Sequence, residues 1–131
     1  MIDYAKGILV SKRVFEFVIE EIDYLNEGGA KLSGYIDTFV NCRETGFYLT
    51  LYDTNYDKED RQKDNLFIWA FESRNSDDIV VIYQTKYPSN EQNLFSEEAY
   101  SNNNRHFRYD EEHKASDYII EIVKDYFKIN K

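Results

Sequence analysis

A chain of 131 residues with a formal net charge of −9 has the length of one domain and can bury a core without staples. Its one cysteine, Cys42, excludes an intrachain disulfide. The charge disfavours direct nucleic-acid binding and an anionic membrane surface, both of which need a basic footprint, and favours a basic protein partner.

The opening run MIDYAKGILVSKRVF is interrupted by Lys12 and Arg13. It reads as neither a signal peptide nor a membrane span, so the expected compartment is the cytoplasm. A single proline and abundant Asn, Lys, Ile, Tyr, Asp and Glu fit an AT-rich coding sequence of the bacterial or phage kind.

SKRVFEFVIEEIDYLNEGG reads as the first helix, with Ser11 as N-cap and Gly28 as the left-handed residue past its end. Val14, Val18, Ile22 and Leu25 recur at helical spacing and share one face, which Phe15 widens. Glu16, Glu20, Asp23 and Glu27 form a stripe on the opposite side. Their carboxylates step along the axis by roughly 4.5–6 Å, comparable to the step between successive phosphates of one nucleic-acid strand. Glu21 adds another acid nearby. Like charges at i,i+4 disfavour a helix by roughly 0.2–0.5 kcal/mol per pair. Lys12 and Arg13 in a first turn, with Asp23 and Glu27 near the last, also oppose the macrodipole. A helix that breaks local rules in this way marks a functional surface.

Four strands are expected next. GYIDTFV (34–40) and FYLTLYD (47–53) flank the turn-rich NCRETG, and the second alternates Phe47, Leu49 and Leu51 with Tyr48, Thr50 and Tyr52. LFIWAFES (66–73) and IVVIYQTK (79–86) flank a hairpin loop and are apolar enough to lie centrally in the sheet. Between the hairpins runs a charged loop, DTNYDKEDRQKDN, expected to be mobile. The stretch from Tyr87 to Tyr109 reads as irregular, with Ser96 capping a short helical turn through Tyr100. Asp110 is placed as cap of the last helix, whose apolar face is Ala115, Tyr118, Ile119, Ile122, Val123 and Tyr126.

The expected fold is therefore α+β: a four-stranded antiparallel β-meander with an N-terminal and a C-terminal α-helix packed on one face. The other face is left for solvent or a partner, with Tyr35, Tyr48 and Tyr52 as its candidate tyrosines. Tyrosine suits such a role because it buries a ring and still offers a hydroxyl.

His106 and His113 lie among Asp110, Glu111 and Glu112, but the spacing is not that of a zinc motif, and acids suit a first helical turn. The run reads as the polar start of the last helix; no metal, cofactor or catalytic residue is assigned. Gln84 and Lys86, with Asp53 or Asp78 and with Glu20, resemble the acid and Gln-x-Lys set of restriction-like nucleases, which would imply a small metal-dependent nuclease. In general character, small, acidic, Tyr-rich α+β chains resemble phage and mobile-element inhibitors of restriction enzymes, CRISPR effectors or repair enzymes. They also resemble immunity proteins that neutralise co-encoded toxins.

The reading that follows is a non-enzymatic DNA-mimic inhibitor of a basic, nucleic-acid-handling protein or toxin. Glu16, Glu20, Asp23 and Glu27 supply the charge, Asp57, Glu59 and Asp60 extend it, and Tyr48 and Tyr52 supply anchor area. A homodimer through an exposed sheet face is a further possible arrangement.

Overall fold

The structure, a computed structural model, describes residues 4–40, 45–54, 65–72, 78–85, 88 and 95–129. Its elements in chain order are α1 (Tyr4–Glu27), β1 (Leu32–Val40), β2 (Thr45–Asp53), β3 (Leu66–Glu72), β4 (Asp78–Gln84), α2 (Glu97–Asn102), β5 (Asn104–Arg108) and α3 (Glu112–Phe127). The strands form one antiparallel sheet in the order β1-β2-β3-β4-β5.

The α+β architecture is as expected, but the sheet has five strands rather than four. The addition is β5, NRHFR, inside the stretch read as irregular. Only Phe107 of its five residues is buried, so it carries no apolar alternation to announce it. What holds it is β4, against which Phe107 pairs with Ile79 and His106 with Val80. With β5 in place β4 is an interior strand, which suits its run of buried residues from Ile79 to Ile82.

α1 begins at Tyr4, seven residues before Ser11. Ser11 is therefore not an N-cap; it is a buried residue inside the helix, and its Oγ has no hydrogen-bond partner among the described residues. The positive φ falls at Gly29 (φ 116°), one residue beyond Gly28. There the Gly29 N–H donates to Asn26 O and the Ala30 N–H to Leu25 O, each 3.1 Å. These two bonds make a Schellman ending, and its left-handed position falls on glycine. Asn26 then ties the helix to the sheet: its Nδ2 donates to Leu32 O, and its Oδ1 accepts from Leu32 N, both 2.9 Å.

α1 and α3 pack on one face of the sheet. Val14, Phe15, Val18 and Ile22 of α1, and Ala115, Ile119, Ile120 and Val123 of α3, join Leu49, Leu51, Ile68, Ala70 and Val81 in one core. Each fully buried Ile, Leu, Val or Phe contributes about 1.5–3 kcal/mol. The other face is not bare. Tyr48, Phe67, Trp69, Phe71, Val80 and Ile82 form a second core there with Ala99 of α2, and Phe95 packs against it. Trp69 is fully buried and stands 5.7 Å from the rings of both Tyr48 and Phe95. Ser96 caps α2 as expected, its Oγ accepting from Ala99 N at 3.1 Å.

Asp110 does not cap α3. The N-cap is Glu111, which makes no side-chain cap bond; its Oε1 instead accepts from the Arg108 N–H at 3.0 Å, closing the turn out of β5. Among the described residues no helix is long and apolar enough to cross a membrane.

Candidate functional site

The α1 stripe is where the sequence put it. Glu16, Glu20, Asp23 and Glu27 are all exposed, on the side of α1 away from buried Val14, Val18, Ile22 and Leu25. Among the described residues its ion pairing is one loose contact: Lys12 Nζ lies 4.0 Å from Glu16 Oε1, both side chains well exposed. A pair of that kind contributes at most a few tenths of a kcal/mol. One argument for the stripe changes. Because α1 starts at Tyr4, Lys12 and Arg13 are interior residues and do not oppose the dipole. At the other end the conflict stands, since Glu27 closes the helix and the last turn holds no base.

The stripe runs between two grooves. On the β1 side, Phe15, Ile19, Ile36 and Phe47 line a groove whose α1 wall is Glu16, Glu20 and Asp23. On the α3 side, Glu20 and Glu21 of α1 face Asp117 of α3 across a polar groove that also holds Tyr24 and His113. Glu20 thus stands on a crest shared by both. Glu21, Asp117 and Tyr24, which is 70% exposed, widen the acidic surface beyond the four-residue stripe. Asp117 lies on a different helix, so no spacing within α1 could have revealed it.

The tyrosines divide. Tyr48 is 5% exposed and belongs to the second core, stacked on Trp69; its expected place at a binding face is corrected. Strand alternation had put it on the right face, but Phe95 and Ala99 come from a distant segment to cover that face. Burial first, then Asp37 and Tyr35, push its hydroxyl above the ordinary tyrosine value. Tyr35 remains exposed on β1 and Tyr52 is half-buried. Asp57, Glu59 and Asp60 lie outside the described residues.

The two histidines are not brought together. His106 lies on β5, on the sheet face opposite α1 and α3, with Nδ1 3.8 Å from Asp78 Oδ2. His113 lies on α3 and stacks on Phe17 of α1, ring centroids 4.4 Å apart. Glu111 and Glu112 hold positions in the fold. Glu111 accepts from Arg108 N and from Lys114 Nζ, each 3.0 Å, and Glu112 is bound by Arg13. The backbone bond from Arg108, and then Lys114, hold the Glu111 carboxyl below the ordinary carboxylate range.

The nuclease-like set is dispersed as well. Gln84 is buried, and its Oε1 accepts from Ser96 N at 2.8 Å, fixing the start of α2. Asp78 stands at the opposite end of the same strand. Asp53 pairs with Leu32, on the sheet face opposite Gln84. Lys86 lies outside the described residues. Among those described, no group of three or more His, Cys, Asp and Glu is placed to hold a metal ion.

Compared with protein-family models, curated proteins and solved structures, the chain matches none.

Proposed function

We propose that this chain is a non-enzymatic binding protein that inhibits a nucleic-acid-handling protein by laying the acidic face of α1 on its partner's basic surface. The observation that carries the reading is the row Glu16, Glu20, Asp23 and Glu27. It stands exposed on the crest of α1 and, among the described residues, is neutralised only by the loose Lys12 contact. Glu21 and Asp117 add to the same acidic surface. A rigid helix holds these carboxylates in fixed register, so they attract a basic groove without the ordering cost of a flexible tail. The site of action is the cytoplasm, where such partners handle nucleic acid.

The test is retention of partners from bacterial lysate on the tagged protein, at low and at high salt, with and without duplex DNA as competitor. A nucleic-acid enzyme is expected to be retained at low salt, released by salt or by DNA, and slowed when the protein is added to its assay. The triple variant Glu16→Lys, Glu20→Lys, Asp23→Lys is expected to retain none of it. Equal retention by that variant would sink the reading.

A further inference from the structure

Charge is only half of what the stripe borders. α1 makes its main sheet contacts with β2, β3 and β4, and α3 packs beside it toward β5. The helical layer ends at α1, and β1 extends past it. Ile36, on the helix side of β1, is left 40% exposed. Between α1 and β1 runs a groove of about 410 Å³ with an apolar floor of Phe15, Ile19, Ile36 and Phe47. Glu16, Glu20 and Asp23 stand along its α1 wall, and among the described residues Lys12 is the one base in its lining.

We propose that this groove receives an amphipathic helix of the partner protein. The partner's apolar side chains enter between Ile19 and Ile36, and its lysines or arginines face Glu16, Glu20 and Asp23. The proposal rests on the reading of α1 as the partner-binding face and specifies the element that the partner contributes.

Shape, charge and exclusion carry it. The groove is the next position in a layer of side-by-side helices, where neighbouring axes lie about 8–10 Å apart. From Lys12 to Asp23 it runs about 16 Å at 1.5 Å per residue, or three helical turns. A helix with bases at i and i+4 repeats every ~6 Å, the same step as Glu16 to Glu20. The acids rim one wall of an apolar floor, which is the complement of an amphipathic helix with a basic flank. A purely ionic partner would leave Ile19 and Ile36 in water. A second copy of this chain would bring one acidic α1 against another, at −9 per chain, which like-charge repulsion opposes. A strand added to the β1 edge would extend the sheet and leave Phe15 and Ile19 uncovered.

The experiment uses the full chain with labelled isoleucine methyls. The probes are a leucine–lysine peptide of amphipathic helical pattern, a scrambled peptide of the same composition, and oligolysine. The patterned peptide is expected to shift the Ile19 and Ile36 methyl signals and to bind about tenfold more tightly than the scrambled one, a 1.4 kcal/mol difference. Ile36→Lys, at an exposed site, is expected to keep the fold and remove that advantage.

Equal binding of patterned and scrambled peptides, signals that move elsewhere, or an Ile36→Lys variant that binds as well as the parent would each overturn the proposal. So would protection of outward-facing β1 amides without methyl shifts, which means strand addition, or a dimer in light scattering that Ile36→Lys dissolves. Any of these with lysate retention still lost on charge reversal leaves the acidic-face reading standing and removes this one alone. Retention insensitive to charge reversal removes the acidic-face reading itself.

Discussion

Arg13 donates from Nε and Nη2 to the two carboxylate oxygens of Glu112, each at 3.2 Å, joining α1 to the start of α3 across 99 positions of chain. Beside it Phe17 and His113 stack. The polar run at the start of α3 is therefore a fastening between two helices. Glu112 and His113 are engaged in packing α3 on α1, while Glu111 closes the turn out of β5.

This fork is expected to contribute modestly, because the Arg13 side chain is about half exposed. Arg13→Ala and Glu112→Gln should each lower stability by about 0.5–1 kcal/mol. Arg13→Lys should recover only part of that, since an ammonium cannot make both bonds. A double-mutant cycle in urea unfolding measures the coupling, and a coupling near zero would show the pair to be incidental.

Gly46 and Gly34 are required for close strand approach. A Cβ at Gly46 would meet the Ala70 carbonyl oxygen and lie 2.7 Å from Phe71 Cβ. At Gly34 it would meet the Thr50 carbonyl, 2.9 Å from its carbon. Those neighbours are backbone or Cβ atoms and cannot swing away. Either glycine changed to alanine should cost about 1–3 kcal/mol, the usual cost of overpacking, or more. Thermal unfolding measures it; an unchanged midpoint in both variants would mean that the strands shift freely.

Lys128 ends α3 in the left-handed region, at φ 57° and ψ 49°. The Ile129 N–H donates to Lys124 O at 2.8 Å, so the turn is a formed helix ending that happens to lack glycine. Lys128→Gly should therefore stabilise the protein by about 1 kcal/mol, through relief of the Cβ contact with the following carbonyl. Lys128→Ala, which keeps that contact, should not. Urea midpoints of the two variants decide between them.

Glu111 gives the protein an acid-side dependence of known sign. Its carboxyl is held below the ordinary range by the Arg108 N–H first and by Lys114 second. A group with a lowered folded value contributes stability above its unfolded value and loses it as pH falls through the folded one. Stability should thus decline on acidification through the carboxylate range, and Glu111→Gln should flatten part of that decline. Unfolding midpoints followed from neutral to acid pH test this; equal slopes in parent and variant would rule the contribution out.

The parts of the fold readable in the sequence are those with strong periodicity. The core face of α1, the alternation of β2 and the cap at Ser96 were all legible, because each is a local pattern. Ser11 shows how two local rules compete. Its capping preference suggested a helix start, yet it lies three residues before Val14, in phase with the core stripe, and packing decided the matter. β5 was hidden because its pairing with β4, not its own composition, makes it a strand. The cover over Tyr48 was hidden for a related reason: Phe95 and Ala99 arrive from more than forty positions away. At the candidate site, Glu16, Glu20, Asp23 and Glu27 were legible as helix spacing. Ile36 and Asp117 were not, since both depend on where α1 lies across the sheet and against α3.

A sheet whose strands neighbour one another in the order in which they are synthesised can grow strand by strand, each new strand pairing with the one made before it. The docking of α1 on α3 is different, because it joins elements 99 positions apart at Arg13 and Glu112 and must wait until α3 has been made. On the ribosome α1 and the early strands therefore emerge with half of their helical layer missing. Closure of the layer follows the pairing of the sheet, and a chain cut short before Glu112 would leave Ala70 and Val81 under an unfinished roof.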